Sequence, residues 1–107
     1  MPLILIHSED EFNKALADAG SKLVVVDFFA DWCGPCKVIG PKFEAMSNEF
    51  KDDIVALKVD VDECSDVSES QGIECMPTFL FFKNTKKVDQ FSGANESKLH
   101  QMILTHK

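Results

Sequence analysis

Two kinds of hydrophobic pattern alternate along the chain. Runs of apolar residues, rich in β-branched and aromatic side chains, predict strands at residues 3–7, 22–29, 54–61, 78–83 and 87–91. Apolar residues at helical spacing predict helices at 8–20, 33–50 and from Asn95 onward, and the short polar stretch 65–71 is also predicted to be helical. The order βαβαβα followed by ββα predicts an α/β fold. Its core sheet is parallel, with an antiparallel edge and helices on both faces.

The longest predicted helix, at residues 33–50, follows the run that is apolar throughout. Pro41 interrupts it directly after Gly40, which predicts a kink. Its buried side is predicted to carry Val38, Ile39, Phe43, Met46 and Phe50.

The last two strands are predicted to form a hairpin joined by Asn84, Thr85 and Lys86. Tight hairpin turns need positive φ at their central residues, which threonine resists. We therefore expect either another turn type or local strain at Thr85.

Composition and charge narrow the classes of function. The 107 residues carry a formal net charge of −7 and are 45% hydrophobic, which is typical of one globular domain spanning residues 1–107. The chain lacks a basic footprint, so no nucleic-acid partner is expected. No membrane association is expected either, because no segment resembles a membrane span or a signal peptide. We therefore expect a cytoplasmic protein, in which cysteines are not automatically paired.

Cys33 and Cys36 form a CxxC pair between the buried strand and the following helix. Ligands of open α/β sheets bind beyond the carboxyl ends of the strands, so this position suits a functional site. Free backbone N–H groups and the positive dipole end of the helix favour a thiolate at Cys33. Cys36 follows about one turn later, where Cα atoms are roughly 5 Å apart and a disulfide can close.

This spacing predicts a dithiol–disulfide cycle. The Cys33 thiolate attacks a substrate disulfide, and Cys36 then attacks Cys33 and releases the reduced substrate. Pro35 suits a first helical turn, which needs no N–H donor, and Gly34 leaves room for a substrate backbone. Both residues are expected to tune the redox properties of the pair.

Residues 32–37 read Trp-Cys-Gly-Pro-Cys-Lys and resemble the active-site signature of the thioredoxin family. Further matches lie at residues 25–28, 76–79 and 92–95, so the resemblance covers essentially the whole chain. The extra cysteines Cys64 and Cys75 make it most similar to the animal-type cytosolic members. The resemblance implies the thioredoxin fold, with a single central mixed five-stranded sheet flanked on both faces by four helices.

The resemblance also implies how substrate and electrons reach the dithiol. In the family, the proline matching Pro77 is cis and lies beside the dithiol, and the backbone matching Met76 pairs with an extended substrate chain. An apolar surface that receives the substrate is implied around Trp32, Pro35, Pro77 and Gly93. No bound cofactor is implied. Electrons come from NADPH through thioredoxin reductase, and the disulfides reduced belong to client proteins such as peroxiredoxins.

Asp27 stands within an apolar strand. Burial is costly for an unpaired carboxylate and should raise its pKa toward neutrality. The resemblance gives the matching Asp the role of a general base that acts through water, which assigns Asp27 to deprotonate Cys36. Lys58 matches a position that can pair with this Asp and is expected to tune the redox site. The alternative is a structural carboxylate with a lysine partner.

Cys64 and Cys75 are not needed for this cycle. Cys64 is expected to be a small buried residue, as free cysteines often are. Cys75 directly precedes Met76 and is expected to be exposed near the site. It is the candidate regulatory cysteine, because a monomer could form a Cys75-linked dimer or carry a reversible cap there on oxidation.

Other classes of function have weaker support. No metal site is expected, because Cys64 and Cys75 are too far apart in sequence for a zinc knuckle. The three histidines form no local pattern with the CxxC pair that would indicate a cysteine–histidine hydrolase. The Asp and Glu residues at 60–63 lack the glycine and closing glutamate of a calcium loop.

Two alternatives to a general protein-disulfide reductase stay open. One is a redox-dependent binding module that docks and regulates partner proteins through the apolar face around Trp32. The other is a protein-disulfide isomerase, which the Gly-Pro pair between the cysteines disfavours. Retention of both cysteines together with Trp32 favours the reductase.

Overall fold

Five strands and four helices alternate among residues 3–107, the part of the chain that the computed structural model describes. The strands are β1 (Leu3–Ile6), β2 (Leu23–Phe29), β3 (Ile54–Asp60), β4 (Thr78–Lys83) and β5 (Lys86–Ser92). The helices are α1 (Glu9–Asp18), α2 (Gly34–Glu49), α3 (Ser65–Ser70) and α4 (Glu96–His106). The predicted order of elements is confirmed.

One mixed sheet holds the strands in the order β1-β3-β2-β4-β5. The central strand β2 is parallel to β3 and antiparallel to β4, while β1 pairs in parallel with β3 and β5 pairs antiparallel with β4. Residues 23–28 of β2 are all buried. Because both of its faces are covered, the sequence of β2 is apolar almost throughout instead of alternating.

Each face of the sheet packs against two helices. On one face, α2 and α4 pack with Val25 of β2 and Phe79 of β4. On the other face, α1 and α3 pack with Val26 and Leu80 from the same two strands. Phe43 of α2 meets Phe79 edge-on, with ring centroids 5.5 Å apart. These two layers bury β2 and fix where it ends.

The burial of α2 departs from the prediction at one residue. Val38 is 60% exposed, although it was predicted to be buried. Residues three and four apart share a helix face. The buried stripe has that spacing and excludes Val38; it consists of Ile39, Phe43, Met46 and Phe50.

The helices begin where the capping residues predict. The Ser8 hydroxyl accepts a hydrogen bond from the Glu11 backbone N–H at 3.1 Å, and the Asn95 side chain accepts one from Lys98 N–H at 3.0 Å. Pro41 lies within α2, and the kink expected there stays a prediction. Within residues 3–107, no helix has the length and apolar character needed to cross a membrane.

The turn between β4 and β5 contains two residues, Asn84 and Thr85. A connection of three residues was predicted, but Lys86 already pairs with Lys83 in the hairpin. Asn84 has φ of 53° and Thr85 has φ of 66°. Positive φ at both central positions is the geometry whose twist matches a hairpin. Of the two expected outcomes, the structure shows the tight turn with positive φ, in which the β-branched Thr85 is expected to be strained.

Replacing Thr85 with glycine should raise the free energy of unfolding by about 1 kcal/mol, because glycine adopts positive φ without a steric cost. Urea unfolding of the oxidised protein measures the change. The control Gln101→Gly, in the exposed middle of α4, should lower stability by about 0.5–1 kcal/mol. A Thr85→Gly variant no more stable than wild type would show that the turn is not strained.

Candidate active site

A disulfide joins Cys33 and Cys36 at the point where β2 leads into α2. The two Cα atoms are 5.3 Å apart, as expected for residues separated by one helical turn. Cys33 is the N-cap of α2, and its Sγ accepts a hydrogen bond from the Cys36 backbone N–H at 3.2 Å. In the reduced protein this donor and the helix dipole would stabilise a thiolate at Cys33.

Trp32 presents its indole ring to solvent beside the disulfide and is 68% exposed. The indole N–H donates a hydrogen bond to the Asp62 carboxylate at 2.9 Å. Asp62 is held in turn by its own backbone N–H, which donates to the Asp60 carboxylate at 2.9 Å. The sequence did not reveal this role of Asp62, because it lies 30 residues from Trp32 and the turn after β3 brings it there.

The loop before β4 lies against the dithiol. Met76 packs on the cluster formed by Ala30, Cys33 and Cys36. The Met76-Pro77 peptide bond is cis, as the resemblance implied. The Pro77 carbonyl accepts a hydrogen bond from Gly93 N–H at 2.9 Å, which joins this loop to the end of β5.

Of the four residues expected to form the apolar surface, three reach solvent. Trp32 and Pro35 are exposed and Gly93 is half-buried, but Pro77 is buried. The loop is bonded to the end of β5 through the Pro77 carbonyl, and Met76, which is half-buried, is the residue beside Pro77 that reaches solvent. A Cβ at Gly34 would meet no atom within 4 Å, so this side of the dithiol is open.

Asp27 lies in β2 and is completely buried. Both of its carboxylate oxygens lack a hydrogen-bond partner among residues 3–107. Burial disfavours the charged form and raises the pKa of Asp27 to about 7, while the positive charge of Lys58 partly opposes this shift. A carboxyl group with a pKa near neutrality can both accept and release a proton at cellular pH.

Lys58 is the register partner of Asp27 in β3, so both side chains lie on the same face of the sheet. The two groups form no hydrogen bond, and Lys58 Nζ lies 4.3 Å from the centroid of the Phe29 ring. The interaction of Lys58 with Asp27 is therefore through space. Lys58 and Cys36 line the same cavity of about 250 Å³ on the α2 side of the sheet.

This geometry agrees with what comparison with known proteins shows. The model of the family described as Thioredoxin matches residues 3–105. The chain belongs to the thioredoxin family. Members of the thioredoxin family are thiol–disulfide oxidoreductases, and this one carries the active cysteine pair closed as a disulfide. The chain is thus a protein-disulfide reductase of that family.

Similar proteins match nearly the whole of this family member. A thioredoxin from Ictalurus punctatus is 55% identical over 97% of this chain and 100% of its own length. A thioredoxin from Equus caballus is 54% identical over 92% of both chains. The crystal structure of Fasciola hepatica thioredoxin superposes with a TM-score of 0.94 at 42% identity, covering 97% of this chain and 99% of that one. The predicted thioredoxin fold is therefore confirmed.

The two remaining cysteines of this family member are free and differ in their surroundings. Cys64 is 1% exposed, and its Sγ lies 3.5 Å from the Ile6 carbonyl oxygen, to which it donates. Burial raises the pKa of the Cys64 thiol. Cys75 is exposed, and its carbonyl accepts a hydrogen bond from the Thr78 hydroxyl. The expected burial of one and exposure of the other are confirmed.

The histidines are engaged elsewhere in the described chain. Each one contacts a carboxylate, in the pairs His7–Glu63, His100–Glu49 and His106–Asp89. None of them lines the cavity beside Cys36, so the hydrolase alternative gains no support. From residue 3 to residue 107, no three side chains of His, Cys, Asp or Glu are grouped so as to hold a metal ion.

The raised pKa of Asp27 predicts how the stability of the protein depends on pH. Between pH 3.8 and about 7, Asp27 is ionised in the unfolded chain but protonated in the folded one, so the free energy of unfolding falls as pH rises. Asp27→Asn cannot ionise. Its free energy of unfolding relative to wild type should therefore increase by a total on the order of 4 kcal/mol from pH 4 to pH 7. Above pH 7 the difference should stay constant.

Urea unfolding of both oxidised proteins at pH 4, 6 and 8 measures this difference. Asp89→Asn is the control. The His106 contact lowers the pKa of Asp89, so the effect of pH on stability has the opposite sign there. That variant should lose stability relative to wild type as pH rises to about 4, and the difference should change little between pH 4 and 8, where that of Asp27→Asn changes most. A stability difference for Asp27→Asn that does not change with pH would show that Asp27 ionises normally.

Proposed function

We propose that this chain carries electrons from NADPH, through a thioredoxin reductase, to disulfides of client proteins such as peroxiredoxins. The observation that carries the proposal is the Cys33–Cys36 disulfide at the N-terminus of α2, with Cα atoms 5.3 Å apart. A pair at this separation opens and closes with little backbone movement. Family membership supports the same chemistry.

The cycle moves two electrons and begins at Cys33. Its thiolate bonds to one sulfur of the client disulfide, and the other client sulfur leaves as a thiolate that takes up a proton. Cys36 then bonds to Cys33 Sγ, the Cys33–client bond breaks, and the second client sulfur leaves. Cys33 is assigned the first attack because its Sγ receives the Cys36 N–H at the helix N-terminus.

Asp27 manages the proton of the second step. Cys36 is a poor nucleophile until its thiol is deprotonated. The carboxyl of Asp27 is buried in β2, the strand that precedes the dithiol. It is free of hydrogen-bond partners in the described chain, and its pKa is raised to about 7. It accepts the Cys36 proton through water, and the nearby Lys58 charge tunes how readily it does so.

Clients dock on the apolar surface that surrounds the disulfide. Trp32, Pro35 and Gly93 reach solvent there, and Met76 packs on the two cysteines. The hydrogen bond from Trp32 to Asp62 holds the indole ring in one orientation, so less side-chain entropy is lost on docking. The backbone of Met76 pairs with the extended client chain.

The protein acts as one domain, residues 1–107, in the cytoplasm, where it contributes to redox homeostasis. Two free thiols support this compartment, since unpaired cysteines persist where thiols are kept reduced. The protein is a monomer in its reduced form.

Reduction of insulin disulfides with NADPH and a thioredoxin reductase tests the proposal, with NADPH consumption as the readout. Wild type should accelerate the reaction, and Cys33→Ser should lower the rate to that without the protein. Cys36→Ser should instead accumulate as a mixed disulfide with insulin on Cys33, visible by mass spectrometry. Cys64→Ser, a buried cysteine outside the cycle, is the control and should keep the wild-type rate.

Two results would contradict the assignments. Activity retained by Cys33→Ser would mean that Cys33 is not the attacking sulfur. A mixed disulfide found on Cys36 of a Cys33→Ser variant, with none on Cys33 of Cys36→Ser, would reverse the two roles.

We also propose that Cys75 links two copies when the protein is oxidised. Its exposure beside Met76 supports this role, because a dimer joined there would cover the docking surface. On a non-reducing gel, oxidised wild type should show a dimer band that Cys75→Ser lacks and Cys64→Ser keeps. A dimer band of equal strength in Cys75→Ser would contradict the proposal.

A further inference from the structure

Gly40 lies inside α2, yet neither its backbone nor its packing requires a glycine. Its φ lies outside the left-handed region. A Cβ at this position would lie 3.8 Å from Lys58 Nζ. Apart from the helix backbone and the neighbouring residues in the chain, it would meet no other described atom within 4 Å. Glycine destabilises a helix interior relative to alanine. The contact that a larger side chain would disturb is therefore the one with Lys58.

Lys58 extends from β3 into the cavity that Gly40 and Cys36 line. Its ammonium lies 4.3 Å from the centroid of the Phe29 ring, within the range of a cation–π interaction. It makes no ion pair with a carboxylate in the part of the chain that the structure describes. The Phe29 ring and the space in the cavity, rather than an ion pair, thus determine where the ammonium lies.

The charged groups around this cavity come from every element that packs there. They are Asp31 from the loop before the dithiol, Lys37 and Glu44 from α2, Lys58 from β3 and, behind them in β2, Asp27. The neighbour of Asp27 in β4 is Phe79, which carries no charge. Among these groups, it is Lys58 whose charge lowers the pKa of Asp27 against the effect of burial.

We propose that Gly40 is a positioning residue for the resolving step, because the space it leaves holds the Lys58 ammonium and water beside Cys36. The cavity of about 250 Å³ has room for several water molecules. A side chain larger than that of alanine at position 40 would extend into this cavity and push the ammonium and the neighbouring water away from Cys36. The proposal rests on the proposed role of Asp27 as the base for Cys36.

The step that depends on this space is the closing of the Cys33–Cys36 disulfide. The Cys36 thiol gives its proton through water to the Asp27 carboxylate, and its sulfur bonds to Cys33 Sγ. The Cys33–client bond breaks, and its electron pair leaves on the client sulfur, which takes up the proton. With the water displaced the proton has no path, and with the ammonium moved away the Asp27 carboxylate is less stable.

Gly40→Leu places a bulky side chain in the part of the cavity next to Lys58 Nζ, whereas Gly40→Ala adds only a methyl group, at an ordinary contact distance of 3.8 Å from Lys58 Nζ. Ala45→Leu is the matched control, since it enlarges an exposed position of the same helix. Reduced protein is mixed with a disulfide peptide, quenched with acid and alkylated. Mass spectrometry then follows the formation and the decay of the mixed disulfide between pH 5 and 9.

In Gly40→Leu, the mixed disulfide should form at the wild-type rate but decay about tenfold more slowly. The pH at which the decay rate is half-maximal should also move upward, because the displaced Lys58 charge no longer lowers the pKa of Asp27. Gly40→Ala, whose methyl group stays at an ordinary contact distance from Lys58 Nζ, should show neither change, and Ala45→Leu should show neither as well. A helix that is merely loosened or tightened would not shift the pH profile.

A decay rate and pH profile for Gly40→Leu equal to those of Ala45→Leu would overturn the proposal. Asp27→Asn separates this failure from that of the base role. If Asp27→Asn decays slowly while Gly40→Leu decays normally, Asp27 is the base and Gly40 has no part in its action. If Asp27→Asn decays at the wild-type rate, the base role fails and this proposal fails with it.

Discussion

Burial of β2 between two layers of helices determines where the dithiol and its buried acid lie. The strand is covered by α2 and α4 on one face and by α1 and α3 on the other. A short loop connects the carboxyl end of β2 to α2, and Cys33 in this loop is the N-cap of the helix. The same burial removes water from Asp27, so one feature of the fold supplies both the thiol position and the perturbed carboxyl.

The proton transfer proposed for Asp27 comes at a cost in local stability. An apolar side chain in its place would suit the surrounding core, since a buried carboxyl without a hydrogen-bond partner lowers stability. Lys58 compensates only in part, because it lies against Phe29 and acts on Asp27 through space. Such a conflict between a residue and its surroundings is expected where a protein uses a residue for chemistry. The cavity beside Cys36 gives that chemistry access to water.

Much of this arrangement was predictable from local sequence. Hydrophobic spacing is a local property, so the order of strands and helices, the Ser8 cap and the exposed Cys75 agree with the structure. The CxxC spacing likewise determines the separation of the two cysteines. Val38 was misplaced because helical spacing alone does not show where the edge of a buried stripe falls.

The features that sequence reasoning missed depend on contacts between distant segments. The hydrogen bond from Trp32 to Asp62 joins residues 30 positions apart, and no local pattern marks it. Pro77 is buried in a loop that is hydrogen-bonded to Gly93, 16 positions away, which local sequence does not show. In the sequence, Gly40 was notable only for its place next to Pro41 at a predicted kink, whereas the structure places Lys58 Nζ beside it.

The central claim is that Asp27 exchanges a proton near neutral pH because it is buried in the strand that precedes the dithiol. A direct measurement is the titration of the Asp27 side-chain carboxyl carbon by ¹³C NMR in the oxidised protein, with Asp27→Asn used to assign the signal. The account predicts a midpoint at a pH of about 7. A midpoint near the ordinary value of 3.8 would contradict it.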